Sequence, residues 1–326
     1  MTNSVSGDGL RPVNLRTDLA ALADLIELVF APNMDENGRA AIREMRYLSR
    51  MGVGLSLLGR MNEMTLGISL GYVWIADGRL VGNTSIYPAN WPPDLGSAWI
   101  IANVAVHPDY QGRGIAHRLM EASLGMIRER GGTDAILQVD IHNERAIPIY
   151  ERFGFIKERA WTTWWRNALP VAPPPDPIKY HITRRRPAEW RQEYTLAQRV
   201  RPAEQGGIGW LKPLHPSQFR RGFWQQISDW FSMSGMERLV IRDPHSEDLL
   251  ASLWMETGMT SSRARFTLLA EPLPDVVHAL LSSGRRRFYA HNIVLEHPDD
   301  DSITSEILRD LRFRKERTVW HMRLKL

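Results

Sequence analysis

The 326-residue chain contains no cysteine, which excludes disulfide bonds, thiolate metal ligands and covalent intermediates on an enzyme thiol. It also lacks any apolar run near the roughly 18 residues that a membrane helix requires. Its first residues, MTNSVSGDGL, have neither the basic nor the apolar region of a signal peptide. We therefore expect a cytoplasmic protein with no membrane partner and no metal site.

The first half of the chain carries almost no net charge, whereas the second half is basic. The formal net charge is −1 up to residue 172 and +5 beyond it. Most of the surplus is arginine, including the runs Arg184–Arg186 and Arg285–Arg287. Such runs can bind the phosphates of a nucleic acid or an anionic substrate, but short runs more often form solvated surfaces. A nucleic-acid partner is therefore not the expected one.

The length of the chain exceeds what one compact core usually holds, so two domains are expected. The stretch PVAPPPDP, at 170–177, is too rich in proline for a helix or a central strand and predicts a linker. We predict one domain over 1–169 and another over 178–326. Both end similarly, in FGFIKERAWTTWWR and LRFRKERTVWHMRL, with Lys-Glu-Arg 158 residues apart, which indicates an internal duplication.

Apolar spacing gives a coarse order of elements in the first half. The sequence GYVWIADGRLVGNTSIYP predicts two strands around an Asp-Gly turn. The other expected elements are a helix at Thr17–Phe30, a buried strand at Ala98–Val106, a helix from Ile115 to the stop at Gly131-Gly132, a strand AILQVDI and a helix at Glu144–Arg152. This order predicts an α/β (α+β) fold.

The loop HPDYQGRGIA joins the buried strand to the long helix. Gly112 and Gly114 allow successive backbone N–H groups to turn toward one point at the helix N-terminus, an arrangement that binds a pyrophosphate. A Walker loop would end in Gly-Lys-Ser or Gly-Lys-Thr, and a dinucleotide fingerprint needs three spaced glycines followed by an acidic residue. Neither pattern is present, so a different phosphate ligand is indicated.

Two motifs here resemble those of the GNAT acetyltransferase superfamily, and together they cover about residues 98–166. VAVHPDYQGRGIAHRLM is similar to its acetyl-CoA signature, with Gln111, Gly114 and Ala116 at the matching places. NERAIPIYERFGF is similar to its later motif, in which an Asn opens a helix, a Tyr follows and Gly-Phe closes it. The residues at those places are Asn143, Tyr150, Gly154 and Phe155.

The resemblance implies two tandem GNAT folds, each a mixed, mostly antiparallel twisted sheet flanked by helices, with a splayed parallel strand pair that holds acetyl-CoA. The pantetheine arm would pair with the edge of the buried strand, where the N–H of Val106 or its neighbour would face the thioester oxygen. The implied cofactor-binding residues are Val104, Ala105, Val106, Gln111, Gly112, Arg113, Gly114, Ile115 and Ala116.

The resemblance also implies that Tyr150 is the general acid for the leaving CoA sulfur and that Asn143 binds the pantetheine arm. Pro148 departs from the pattern, because its missing N–H predicts a bend just before Tyr150. The base is unassigned, since the buried strand AWIIANVAV offers Asn103 where the family often has Glu. Candidate bases near the next strand are Asp140, His142 and Glu144, whereas His107 is expected to be structural.

The second half has changed at every position tied to this chemistry. At the 158-residue offset, Asp301, Leu308 and Arg312 replace Asn143, Tyr150 and Gly154, and only Phe313 keeps the pattern. No QGRG turn precedes them. RARFTLLAEPLPDVVHALLSSG should therefore form a strand and a helix for packing alone, in a degenerate domain that does not bind acyl-CoA. Most of the twelve tryptophans are expected in the core or at the interface between the domains, and the alternative is that they line the acceptor pocket.

We thus expect an N-acyltransferase that moves an acetyl or short acyl group from acetyl-CoA to a small-molecule or peptide amine through a ternary complex. The alternative is a non-catalytic acyl-CoA sensor or scaffold. The second half, with residues 210–231, either walls the acceptor pocket or is structural. Either a monomer or a homodimer is compatible with the sequence, and the acceptor is left open.

Overall fold

The computed structural model describes residues 8–31, 34, 36–50, 70–175, 180–220, 235–246, 248–258 and 262–326. The end of the predicted linker, 176–177, and most of the predicted acceptor wall, 221–231, lie outside the described residues. The chain divides into two compact units, Met1–Leu137 with Arg323–Leu326, and Gln138–Met322. No helix in the described ranges is long and apolar enough to cross a membrane.

The first unit is a sheet with helices in the connections. Its strands follow the order β1-β2-β3-β4-β5, antiparallel up to β4 and parallel between β4 and β5. The elements are β1 (Gly9–Pro12), α1 (Leu19–Phe30), α2 (Glu36–Arg50), β2 (Leu70–Ala76), β3 (Arg79–Pro88), β4 (Ala98–Val106), α3 (Ile115–Glu129) and the first part of β5 (Asp134–Asp140). The predicted hairpin, buried strand and long helix are all present.

Glycine and aspartate residues shape the β2–β3 hairpin and allow α3 to pack on it. Asp77 and Gly78 both have positive φ, 51° and 69°, and form the turn between β2 and β3. Gly82 on β3 lies under α3, where a Cβ would come 2.9 Å from Cγ2 of Ile115 and 3.1 Å from Cδ1 of Leu119. The absence of a side chain at Gly82 therefore allows the start of α3 to pack directly on β3.

The second unit has the strand order β12-β6-β11-β10-β9-β8-β7. Its main core lies between the sheet and the helices that follow β10 and β11, and includes Trp164, Leu253, Phe266, Leu280 and Leu308. The elements are α4 (Ile147–Arg152), β6 (Ile156–Arg166), β7 (Ile182–Arg184), α5 (Trp190–Val200), β8 (Gly235–Arg242), β9 (Leu249–Thr257), β10 (Arg263–Ala270), α6 (Pro274–Arg287), β11 (Asn292–Pro298), α7 (Ser302–Asp310) and β12 (Arg314–Lys325).

The repeat inferred from the sequence recurs in the structure at the same offset. Moving β5 by 158 residues gives the bounds of β11, and moving β6 gives all but the last residue of β12. The turns between them match as well. Oδ1 of Asn143 accepts from the N–H of Ala146 at 3.1 Å, as Oδ1 of Asp301 accepts from Thr304 at 3.0 Å.

The helix ends that follow these turns also correspond. Gly154 and Arg312 both adopt positive φ, 91° and 65°. The next residues, Phe155 and Phe313, donate back to the carbonyls of Tyr150 and Leu308 at 3.1 and 2.8 Å. The conformation is kept although only one of the two positions is glycine, which indicates that the turn itself is part of the repeated unit.

The boundary between the two compact units does not coincide with the proline-rich stretch. The reason is that strands on either side of that stretch pair with each other. In the second unit, β6 runs antiparallel to β11, from Ile293↔Arg166 to Pro298↔Trp161. The last strand before the proline-rich stretch thus pairs with a strand after it. The domain boundaries 1–169 and 178–326 therefore remain a prediction about the duplicated units.

Candidate active site

The parallel pair of the first half separates soon after it begins. Ladder partners join β4 and β5 at Ala98↔Asp134, Trp99↔Ala135 and Ile100↔Ile136. Both strands are fully described, and no further pairs follow, although β4 continues to Val106. The predicted splay is therefore confirmed, and among the described residues no strand pairs with the edge of β4 beyond Ile100 on that side.

A β-bulge in β4 lies at the splay. The register with β3 shifts between Asn83 and Ser85, and Asn103 adopts a positive φ of 51°. The buried amide of Asn83 donates to the carbonyl of Asn103 at 3.0 Å, and the amide of Asn103 donates to Oγ of Ser85 at 3.3 Å. Asn103 thus holds the bulge in place, and no local pattern in the sequence identifies its partner Asn83.

Val106 presents its peptide groups to the open side of β4. The N–H of the next residue, His107, donates to the carbonyl of Val81 on β3 at 2.8 Å. Because successive peptide groups of a strand point in opposite directions, the N–H of Val106 points away from β3. The side-chain amide of Gln111 donates to the carbonyl of Val106 at 3.1 Å, which ties the loop to the strand end.

The loop after β4 has the geometry of an anion-binding turn. Nδ1 of His107 accepts from the N–H of Asp109 at 3.3 Å, so His107 caps the turn, as expected for a structural residue. Gly112 and Gly114 have φ of 76° and 77°, and Gly114 directly precedes α3. L-residues rarely adopt these angles, which explains both glycines.

The backbone N–H groups from Gly112 to Ala116 have no acceptor among the described residues, and α3 closes its first turn with the bond from Arg118 to Gly114 at 3.1 Å. Residues 111–114 are exposed. Arg113 lies over the ring of Tyr110, 4.7 Å from its centroid. A row of open donors at the positive end of a helix, flanked by arginine, can hold a phosphate group.

In the second unit, the turn after β5 corrects one expectation. The predicted helix Glu144–Arg152 begins only at Ile147, because Glu144–Ala146 form turns capped by Asn143. Pro148 then lies in the first helical turn, where an N–H would have no intrahelical partner anyway. Proline is tolerated in this first turn, and the bend expected from Pro148 stays a prediction.

Tyr150 lies on α4 with 7% of its surface exposed. Burial raises the pKa of its phenol to about 12. Its ring centroid is 6.1 Å from that of Phe155, and its hydroxyl has no hydrogen-bond partner in the described part of the chain. The hydroxyl therefore stays protonated at neutral pH and is available to a ligand.

The three candidate bases differ in surroundings. Oδ1 of Asp140 accepts from the N–H of His142 at 2.9 Å, so that carboxylate closes the turn after β5. His142 and Glu144 are exposed. Within the described residues, no group of three acidic or histidine side chains has the arrangement of a metal site.

One polar pair in the second unit has no signal in the sequence. Nε2 of His321 lies 2.9 Å from the amide nitrogen of Gln138, and its ring stacks on Trp161 at 5.3 Å and contacts Trp210 at 5.1 Å. An amide nitrogen can only donate, so Nδ1 of His321 carries the proton. Burial lowers the pKa of this imidazole to about 3 and keeps it neutral. Trp161 and Trp164 are core residues, as expected.

The second half contains a second splay, inside the second unit. β10 and β11 pair in parallel from Arg263↔Asn292 to Phe266↔Leu295, while β10 continues to Ala270. Only residues 271–273 separate β10 from α6, compared with 107–114 between β4 and α3. The glycine turn is therefore missing from the second half, as the sequence indicates.

The guanidinium of Arg201 lies in this second splay. Arg201 is 4% exposed, donates to the carbonyl of Leu268 at 3.3 Å and lies 3.1 Å from Nδ1 of His297. Nε2 of His297 in turn lies 2.8 Å from a carboxylate oxygen of Asp301. Burial lowers the pKa of Arg201 to about 9 and that of His297 to about 4.

The position of this arginine corresponds to the open edge of β4 in the first half. Asp134 and Asn292 are equivalent at the 158-residue offset, so their partners Ala98 and Arg263 are equivalent too. Allowing for the one-residue bulge in β4, Leu268 is the counterpart of Val104. The carbonyl at that place is thus bound by a side chain of the protein itself.

Comparison with known proteins agrees with the fold and the motifs. Residues 59–155 match the model of the acetyltransferase (GNAT) family. The chain is 36% identical over 67 residues to N-alpha-acetyltransferase 30 of Schizosaccharomyces pombe, which covers 21% of this chain and 45% of that protein. The chain therefore spans less than half of this relative.

Two solved structures resemble the chain over nearly its whole length. A GCN5-related N-acetyltransferase from Sphaerobacter thermophilus has a TM-score of 0.59 at 14% identity, over 97% of this chain and 95% of that one. A tandem GNAT protein from the clavulanic acid biosynthesis pathway has a TM-score of 0.50 at 12% identity, over 97% and 98%. The chain therefore has the fold of these GNAT structures over nearly its whole length, and its residues 59–155 match the model of the acetyltransferase (GNAT) family.

Proposed function

We propose that this protein transfers an acetyl or other short acyl group from acetyl-CoA directly to an amine acceptor in a ternary complex. The observation that carries the proposal is the turn from Gly112 to Ala116, whose open N–H groups lie at the positive end of α3. A pyrophosphate offers several anionic oxygens and fits such a row of donors. Gln111 keeps the turn close to β4 through the carbonyl of Val106.

The remaining binding roles follow from free hydrogen-bonding groups. The open edge of Val104–Val106 pairs with the amides of the pantetheine arm, as an added strand would. The carbonyl oxygen of the Asn143 side chain is used by Ala146, which leaves its amide nitrogen to donate to a pantetheine carbonyl. These groups fix the thioester before the acceptor arrives.

The reaction is a single displacement at the thioester carbon. The neutral amine attacks the carbonyl carbon, and the N–H of Val106 stabilises the negative charge that develops on the oxygen. The carbon–sulfur bond then breaks, Tyr150 gives its phenolic proton to the sulfur, and solvent reprotonates the phenolate. The extra proton of the amine leaves to water, so the products are an amide and CoA.

The burial of Tyr150 supports its role as the acid. With a pKa raised to about 12, its phenol stays protonated throughout the pH range of an assay. Tyr150→Phe should therefore lower kcat while acetyl-CoA binds with nearly unchanged affinity. An unaltered kcat would remove Tyr150 from this role.

A non-catalytic acyl-CoA sensor or scaffold is the second candidate. One observation favours it: β4 carries no carboxylate, and Asn103, which occupies the expected region, is used to hold the bulge. This candidate predicts cofactor binding with no amide product. Assay of the purified chain with acetyl-CoA and a panel of amines, with free CoA as the readout, separates the two functions.

A further inference from the structure

A buried arginine, Arg166, and a half-buried one, Arg285, lie near each other in the second unit without a hydrogen-bonded acid among the described residues. Arg166, at the end of β6, is 6% exposed, and its Nη1 is enclosed without a hydrogen-bond partner. Nε of Arg285, in the last turn of α6, is enclosed in the same way. Burial, and then the nearby charge of Arg285, lower the pKa of Arg166. Neither side chain forms an ion pair within the described ranges.

Strand geometry explains why the side chain of Arg166 lies near Arg285. Residues two apart on a strand share a face, so Arg166 points to the same side of the sheet as Trp164. Trp164 belongs to the core that α6 covers, together with Val277 and Leu281. The side chain of Arg166 therefore extends under α6, whose last turn carries Arg285.

The surroundings do not neutralise this pair. The C-terminal end of α6 supplies about half an elementary negative charge, against two positive charges. The neighbouring Arg287 has its own carboxylate, Glu237, which also binds Arg184. A buried charge without a partner is strongly unfavourable in a folded protein.

The pair is also not a requirement of the repeated fold. The counterpart of Arg166 at the 158-residue offset is Leu324 on β12, an apolar residue. The arginine at this position is therefore present in only one of the two copies of the repeat. Charged residues at a position where the repeat tolerates leucine need a reason outside packing.

We propose that Arg166 and Arg285 form a binding site for a divalent oxyanion of the phosphate type, separate from the acyl-CoA turn. Two guanidinium groups present planar forks of N–H donors, which match the oxygens of a phosphate, and their two charges equal those of the dianion. The ligand is either inorganic phosphate or the terminal phosphate of a monoester.

The test is thermal unfolding of the full chain at pH 8 and constant ionic strength, with sodium chloride exchanged for sodium phosphate. Phosphate should raise the Tm of the wild type by about 2–4 °C. Arg166→Gln and Arg285→Gln should each abolish this shift. Arg286→Gln, an exposed position on the same helix with the same change of charge, should retain it.

The same variants test the charge argument without any ligand. In chloride, Arg285→Gln should keep or raise the Tm, because it removes an unpaired charge, whereas truncating an ordinary buried residue lowers it. In phosphate, its Tm should fall below that of the wild type. If phosphate stabilises all the variants equally, the effect is general salt exclusion and the site does not exist.

Phosphate could also bind to the turn that precedes α3, and a loop variant distinguishes the two sites. Gly114→Val should leave the phosphate shift intact while it weakens acetyl-CoA binding. Loss of the shift in Gly114→Val, with retention in Arg166→Gln, would overturn this proposal and leave the proposed function standing. Repeating the titration with a phosphate monoester identifies the source: a larger shift than with inorganic phosphate assigns the site to a monoester, and a smaller one to the free ion.

Discussion

The two splayed strand pairs of this chain begin alike and end differently. β4 leaves its parallel partner after Ile100 and leads into a glycine turn with open N–H groups. β10 leaves its partner after Phe266 and leads almost directly into a helix, while Arg201 binds the carbonyl of Leu268. The comparison teaches that the splay belongs to the fold, whereas the ability to bind a ligand depends on a few residues around it.

The second half lacks both parts of the proposed acyl-CoA site. Its turn lacks the amide row, and its strand edge is occupied by Arg201 at the counterpart of Val104. Either change alone would weaken acyl-CoA binding. Together they make a cleft that is filled by the protein and held by the contacts among Arg201, His297 and Asp301.

The largest expected effect is on kcat and concerns Tyr150, whose counterpart in the second half is Leu308. Tyr150→Phe should lower kcat by about 100- to 10,000-fold, the usual contribution of a general acid, with the acetyl-CoA Kd unchanged within about twofold. Steady-state kinetics and calorimetry measure the two quantities. The control Tyr194→Phe removes a hydroxyl from a residue that packs on Phe219 and should leave kcat unchanged.

The next effect is on stability in acid, because two buried histidines of the second half, His297 and His321, replace the non-titrating Val139 and Thr163 of the first. Their pKa values are lowered to about 4 and about 3. The unfolded chain binds protons from about pH 6.5 downward, while the folded chain does not. The stabilisation is therefore complete above pH 6.5 and is lost as the pH falls.

Between pH 8 and pH 5 each histidine should remove about 2 kcal/mol from the free energy of unfolding. Urea unfolding at both pH values measures the loss. His321→Gln should reduce the difference by about half. A wild type that is equally stable at both pH values would contradict the neutral, buried state of these side chains.

Arg201→Met tests what fills the second splay. The variant leaves the carbonyl of Leu268 and Nδ1 of His297 without a donor, so the free energy of unfolding should fall by about 1–3 kcal/mol. Acetyl-CoA stoichiometry should not change, because the glycine turn is still absent. Arg199→Met, which loses an exposed pair with Glu271, should cost less than about 1 kcal/mol.

Gly114→Val tests the turn of the first half. A Cβ at Gly114 meets no atom within 4 Å, so the effect comes from the φ of 77° and not from a clash. We expect at least a tenfold rise in the acetyl-CoA Kd, since the amide row must be rebuilt around a strained residue. Gly125→Ala, also in open space but inside α3, should leave the Kd unchanged.

Features that depend on residues close together in the sequence could be predicted from it. The Asp77-Gly78 hairpin, the start of α3 after Gly114 and the repeat at 158 residues all depend on short patterns. The helix α4 begins three residues later than the sequence predicts, because Asn143 caps a turn before the helix begins. Proline tolerance at position 148 follows from that shift.

Contacts between distant residues could not be predicted. Asn83 and Asn103 are polar residues in apolar strands, and only the register of β3 with β4 brings them together. Arg201 and Leu268 are 67 positions apart, and Gln138 and His321 are 183 apart. No local pattern marks either pair. The pairing of β6 with β11 likewise crosses the proline-rich stretch that suggested a boundary.

Calorimetric titration of the full chain with acetyl-CoA tests the central comparison most directly. The glycine turn of the first half is intact and the splay of the second half is filled by Arg201, so we expect one equivalent of acetyl-CoA per chain. Gly114→Val should weaken binding at that single site. Two equivalents would show that the second half also binds acetyl-CoA, and would contradict the claim that Arg201 and the missing glycine turn close its splay. No binding at all would contradict the proposed role of the turn from Gly112 to Ala116.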